Sequence, residues 1–170
     1  MNFKWIGAIC VISACGGWGF LVAAHHMQCI RLLRQLIAAL DYMECELQYR
    51  NTALPELCNQ TAQQCRGKIS VLFSTLSREL DAQISPNVAL CMRTTLEQCE
   101  DLPEQIKEMC RILGSSLGKF DLKGQLKGLE ATRSACRDKL ESMVANQDAR
   151  MRSYQTLGLC AGAALAILFV

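Results

Sequence analysis
The residues whose types and spacing could do chemistry are few. The two histidines are adjacent, His25-His26, with Cys29 one turn further on. Positions i and i+4 share a helix face, so His25 and Cys29 can touch one metal ion. Zinc needs three or four ligands, however, and neither a second pair nor any CxxC stands elsewhere in the chain. No metal is expected, and the histidines read as interfacial groups beside a packed thiol. Asp41, Glu44 and Glu46 suggest acid/base or cation chemistry, but they lack a histidine partner and are expected to form a solvated face. Gly114-x-x-x-Gly118-Lys119-Phe120 lacks both the length and the hydroxyl after lysine that a phosphate loop requires. With both histidines at one spot, a nucleophile–histidine pair is not expected either. The residues therefore predict no enzyme, no cofactor and no small-molecule substrate.

Eleven cysteines in 170 residues would suit a disulfide scaffold in a small secreted protein. Here the number is odd, and Cys10, Cys15 and Cys160 lie in apolar segments. Cys29, Cys45, Cys65, Cys99, Cys110 and Cys136 recur inside helical patterns, where a reduced thiol acts as a small apolar side chain. All 16 acidic residues, and every basic residue except Lys4, lie between the apolar ends. That near-balance gives no electrostatic case for nucleic acid.

An apolar segment at each end encloses the rest. Phe3 to Ala24 carries one charge, Lys4, and as a helix reaches about 33 Å, enough to cross a bilayer core. Leu157 to Val170 is uncharged but reaches only about 21 Å, so it needs local thinning or several residues from Ser153 onward. Val22-Ala23-Ala24 resembles a signal-peptidase site and Ile12-Ser13-Ala14-Cys15 a lipoprotein box. The apolar stretch before the first is too long, and the run after Cys15 stays apolar, so an anchor is expected. Arg31, Arg34, Arg150 and Arg152 flank the interior side, which predicts a cytoplasmic domain with both termini across the membrane. The expected division is 1–24 as a transmembrane helix, 25–153 as a helical domain and 154–170 as a second membrane segment. Gly158-x-x-x-Gly162, with Gly16 and Gly19 in the first span, would let the two backbones approach closely.

The interior reads as an all-α antiparallel bundle of about six helices. Cys29, Leu33, Leu36, Leu40, Met43 and Leu47 alternate steps of four and three, a seam that carries the first helix to about Arg50. Asp121 is expected to cap the last helix, with Leu122, Leu126, Leu129, Cys136, Leu140 and Met143 forming a second seam that Arg133 interrupts. Both long helices enter from one membrane, so they are expected to pack antiparallel. Between them, Thr52-Pro55-Glu56 predicts a capped helix start running to about Arg66. A further helix spans Ile69 to about Ala82 with Val71, Leu72, Phe73, Leu76 and Leu80 inward. Ser85-Pro86 opens another with Val88, Leu90, Cys91, Met92 and Leu96 inward, and Asp101-Pro103 opens a fifth that ends at Gly114.

At this point the residues resemble a family. Trp18-Gly19-Phe20, Glu46-x-x-Tyr49-x-x-Thr52-x-Leu54-Pro55-Glu56-Leu57 and Leu72-Phe73 are followed by Leu113-Gly114-x-x-Leu117-Gly118-x-x-Asp121-x-x-x-Gln125 and Leu157-Gly158-x-x-x-Gly162. In order and spacing the chain is similar to the stage III sporulation protein AB family. Cys91-Met92 departs from the small residue and aromatic expected there. The resemblance implies a bundle related to the cytoplasmic domain of the type II secretion and type IV pilus platform protein. It also implies a place in the channel complex that joins mother cell and forespore, in the mother-cell membrane around the forespore. Implied partners are channel proteins including a secretion-type ATPase; the apolar ends add membrane lipid, and a homo-oligomer is an open alternative. Glu46, Tyr49, Thr52, Pro55, Glu56, Gly118, Asp121 and Gln125 are the candidate partner interface, although caps and tight turns also account for several of them. The competing reading is a membrane-tethered sensor or adaptor that binds a regulatory partner.

Overall fold
Six α-helices make up the described residues of the computed structural model: α1 (Asn2–Arg50), α2 (Leu54–Gln64), α3 (Gly67–Asp81), α4 (Val88–Gln98), α5 (Glu104–Ser116) and α6 (Leu122–Phe169). The structure describes the backbone of residues 2–50, 52–82, 87–118 and 122–169, and side chains only within 25–145. Among the described residues no helix is long and apolar enough to cross a membrane. The expected spans 1–24 and 154–170, with Gly16, Gly19, Gly158 and Gly162, lie outside the residues whose side chains are described.

The seam predicted for α1 forms the spine of the core. Leu33, Leu36, Leu40 and Met43 are wholly buried, and Cys29 and Leu47 nearly so. Helix α6 lies against this seam and runs the other way: His26 Nε2 stands 3.2 Å from the Met143 carbonyl oxygen near one end. Further along, Asp41 and Glu44 meet Arg133. As α1 numbers rise, their α6 partners fall, which defines the antiparallel pair. On α6 the seam runs through Leu129, Thr132, Cys136 and Met143. Thr132, not Arg133, occupies the inner position, and its hydroxyl donates to the Gly128 carbonyl at 2.8 Å, so its polar atom is satisfied within the helix. Leu122, expected on the seam, is exposed.

The four short helices close the structure into a ring. Each packs on its chain neighbours, α6 returns to α1, and α1 also touches α3 and α5 through the middle. Leu57, Cys58, Ile69, Leu72, Phe73, Leu76, Ile106, Cys110 and Leu113 fill the interior. Val71 and Leu90 were expected inward but are exposed. The inner stripe of α3 passes through Ile69, Leu72, Phe73 and Leu76, spacings of three and four, and Val71 falls off that face. Cys45 is likewise exposed, whereas Cys29, Cys58, Cys91, Cys110 and Cys136 are buried free thiols.

Helix boundaries show where local signals yielded to packing. Ala53, not Thr52, is the N-cap of α2 and makes no side-chain cap bond, since Pro55 in the first turn needs no N–H partner. The Asn87 side chain caps α4 by accepting from the Ala89 N–H at 3.0 Å; Ser85 and Pro86 lie outside the described residues. Gly114 does not end α5. It lies inside the helix, where a Cβ would come within 2.6 Å of the Met92 Cβ, so it is the close-approach point between α4 and α5. Met92, at the family-departing position, is the side chain packed there. The helix ends two residues later, and Gly118 follows in the left-handed region at φ +76°.

Removing part of the spine measures how much it contributes. Leu36→Ala is expected to lower the unfolding free energy by about 2–4 kcal/mol in urea denaturation of the bundle. Burial also pushes the Cys58 and Cys110 thiols up to about 12 and the Cys136 thiol to about 11, from an ordinary 9.0. Above pH 9 the unfolded chain sheds thiol protons that the folded chain keeps, so stability falls as pH rises from 9 toward 11. The urea midpoint is expected to drop between pH 8 and pH 10, and to drop less in Cys110→Ala.

Candidate partner-binding pole
The interhelical contacts give the bundle two distinct poles. At the pole nearer the chain's apolar ends, Cys29 Sγ of α1 donates to Gln105 Oε1 of α5 over 3.8 Å. Here Lys68 Nζ of α3 also donates to the Asp101 carbonyl at 2.5 Å. At the far pole, α1 ends, α2 begins, α5 ends and α6 begins. A Cβ on Gly118 would collide with the Val88 side chain and lie 4.0 Å from Leu54 Cδ2, which brings three segments together at this pole. A shallow depression of about 280 Å³ beside them is bounded by Glu44 and Gln48 of α1 and by Lys123, Leu126, Lys127 and Glu130 of α6.

All the described candidate interface residues fall at this far pole. Tyr49 is 79% exposed, so it is not packed on the bundle. Glu46 is the covered one: its side chain is 15% exposed and its partner Arg50 stands 3.8 Å away. Glu46 Oε2 is enclosed without a hydrogen-bond donor among the described residues. One turn back, the Tyr42 hydroxyl is held above its ordinary pKa by desolvation first and by the Glu46 charge second. Thr52 and Pro55 are half-buried. Ser77 of α3 donates to the Pro55 carbonyl at 2.8 Å, tying the start of α2 down. Glu56 is exposed in the first turn of α2 and accepts from Gln60 Nε2 at 2.8 Å. Gly118 is explained by its backbone and by Val88, a structural role that leaves its exposed edge free to be touched. Gln125 is half-buried at the start of α6, and Asp121 lies outside the described residues.

The chain matches a sequence model of stage III sporulation protein AB over residues 4–170. It belongs to that family. It is 28% identical over 170 residues to the stage III sporulation protein AB of Bacillus subtilis (strain 168), covering 98% of this chain and 99% of that one. A solved structure of stage III sporulation protein AB (SpoIIIAB) has the same fold, with a TM-score of 0.64 and 28% identity, over 72% of this chain and 98% of the other. Family membership gives the protein a role in sporulation.

One interaction of the bundle was not foreseen from the sequence. Asp41 is exposed as expected, but it and the partly covered Glu44 are both paired across the helix interface. Arg133 Nη1 donates to Asp41 Oδ1 at 2.8 Å and to Glu44 Oε2 at 2.5 Å, clamping α6 to α1 below the far pole. The bond to Asp41 raises the Arg133 pKa first, and the Glu44 charge adds to it against the effect of desolvation. The signal was present: two acids at i and i+3, and a lone arginine beside the opposite seam. No group of three or more metal-type ligands occurs among the described residues, and His26 is engaged at the Met143 carbonyl. Arg133→Ala leaves Glu44 partly covered and unpaired, and is expected to cost about 1–3 kcal/mol in thermal or urea unfolding. The combination Asp41→Asn, Glu44→Gln, Arg133→Met should recover most of that loss, because it leaves no uncompensated charge.

Proposed function
We propose that this protein is the membrane-anchored platform of the channel complex between mother cell and forespore. In this reading residues 1–24 and 154–170 hold the bundle of residues 25–153 at the mother-cell membrane, facing the cytoplasm. The far pole meets a secretion-type ATPase, while the anchors meet lipid and the intermembrane channel proteins. The work is mechanical coupling and assembly, with no bond chemistry.

What supports this reading most is the position of the far pole. From His25 to Arg50, α1 rises about 38 Å at 1.5 Å per residue, so the pole stands well clear of the apolar ends. Tyr49, Glu56 and the edge of Gly118 are exposed there, on the loops and helix ends that most often carry binding residues. A tyrosine that is mostly in water brings a large contact area with a polar tip, a side chain enriched at interfaces. The Arg133 clamp and the shared core join α1 to α6 between the His26–Met143 contact and the Asp41/Glu44–Arg133 pair, so a push on the pole is transmitted toward the anchors as a rigid-body tilt.

Two measurements test this. An impermeant maleimide should label Cys45, an exposed thiol of α1, once the mother cell is opened while the membrane around the engulfed forespore is intact. Labelling of that thiol only after detergent has opened this membrane would put the pole on the wrong side and sink ATPase coupling. Tyr49→Ala combined with Glu56→Lys should reduce capture of the ATPase by the full-length protein by about tenfold, with an unchanged melting temperature.

A further inference from the structure
A groove of about 730 Å³ opens at the pole nearer the apolar ends, between the start of α3 and the turn from α4 to α5. Val71, 56% exposed, and the buried Leu102 give it an apolar wall. Both signs of charge surround it in near-equal number. Glu97, Glu100 and Asp101 are exposed carboxylates of the lining. The cations are Lys68 of the lining, Arg66 just before it, Arg93 beside Glu97, and Lys107. Burial raises the pKa of the lining thiol Cys99 and the Lys107 charge opposes that rise, which places Lys107 next to the groove.

Arg93 and Glu97 neutralise one another at 3.3 Å. Lys68 donates to the main-chain carbonyl of Asp101, a hydrogen bond that leaves both side-chain charges in place. Arg66, Lys68, Lys107, Glu100 and Asp101 form no ion pair among the described residues. A ligand that is only anionic is repelled by Glu100 and Asp101, and one that is only cationic by Arg66, Lys68 and Lys107. A ligand that carries both charges on one short frame satisfies the two sets together.

The height of the groove selects among such ligands. Cys29 Sγ of α1 meets Gln105 Oε1 at the start of α5. Helix α5 runs away from this pole, so the turn before it, which lines the groove, stands no further from the apolar ends than Gln105 does. Helix α1 is continuous here, and Cys29 lies five residues past Ala24, about 7.5 Å along the axis. Headgroups add about 5–7 Å to each face of the hydrocarbon core. With residues 1–24 in the bilayer, the groove therefore opens at the level of the lipid headgroups.

We infer that this groove seats the zwitterionic headgroup of an ethanolamine phospholipid, its phosphate toward Arg66 and Lys68 and its ammonium toward Glu100 and Asp101. A primary ammonium donates charge-assisted hydrogen bonds to carboxylates. The trimethylammonium of a choline lipid has no N–H to donate and is held by aromatic faces, and no aromatic side chain is among the described lining residues. A glycerol headgroup brings no ammonium, and a serine headgroup brings an added carboxylate against Glu100 and Asp101. In the cyclic order of helices the groove lies across the ring from the α1/α6 pair that leads to the apolar ends. A headgroup held there gives the bundle a second hold on the membrane, apart from its anchors. The inference rests on the anchored reading of residues 1–24 and 154–170.

The test uses the full-length protein in detergent, given equal amounts of ethanolamine, choline and glycerol phospholipids with identical acyl chains, and counts the retained lipids by native mass spectrometry. Ethanolamine lipid is expected to be retained at least about fivefold over each of the others. Glu100→Gln with Asp101→Asn should bring that preference to within about twofold of parity, and Arg66→Gln with Lys68→Gln should lower retention of the ethanolamine lipid about fivefold. Equal melting temperatures confirm that each variant folds. Equal retention of the three headgroups, or a preference that survives Glu100→Gln with Asp101→Asn, overturns the inference alone. Selection of the anionic glycerol lipid overturns it as well, because the cations then act without the carboxylates. If that acidic pair of substitutions spares lipid selection but releases a co-purifying channel protein, the groove seats a protein and the inference falls. A chain absent from the membrane fraction of sporulating cells overturns the anchored reading and this inference together.

Discussion
The antiparallel pairing of α1 with α6 is the constraint on which the rest of the structure depends. Two helices of 49 and 48 residues begin and end the chain, and each has one stripe of apolar side chains that water disfavours. Placed side by side they cover one another along one edge only. The α1 seam is broader than α6 alone can cover, and α2, α3 and α5 complete its burial. The short helices thus depend on the long pair for a surface, and the long pair depends on them to become dry.

Ring closure follows from chain order. Each connection among the short helices is brief, so consecutive helices become antiparallel neighbours and every element alternates in direction. With an even number of helices, α6 returns beside α1 running the opposite way, and both outer ends leave from one pole. The far pole is then made of three chain reversals: α1 to α2, α3 to α4, and α5 to α6. Residues far apart in sequence, Leu54, Val88 and Gly118, meet there because their helices all turn at that level.

Three of the buried hydroxyls are handled locally. The buried threonines Thr61, Thr95 and Thr132 each donate to a carbonyl four residues back in their own helix. They occupy core space without requiring a partner from another element. Arg133 works differently. Its guanidinium spans from α6 to two carboxylates of α1, which fixes the register of the long pair as apolar side chains alone do not. An apolar seam repeating every three or four residues tolerates a slip of one turn, whereas a single arginine facing Asp41 and Glu44 does not.

Much of the fold was legible in the residues. The heptad-like seam of α1 is buried at every position named for it, and the six helices occur in the expected order. That legibility has a physical reason: burial of one helix face imposes a period on the side chains themselves. The misread positions share a cause as well. Val71, Leu90 and Leu122 are apolar yet exposed, and Gly114 looked like a stop but lies inside α5 against Met92. A side chain's type states its preference for water, not which neighbour covers it. Nor does a glycine disclose whether it serves a turn or a close approach. The sequence by itself determined the helical class, the long first and last helices and their apolar ends, because those depend on short-range periodicity and composition. Only the tertiary structure decided that Asp41 and Glu44 hold Arg133, that the motif residues gather at one pole and that Val71 opens into a groove, because each depends on distances between residues that ring closure alone brings together.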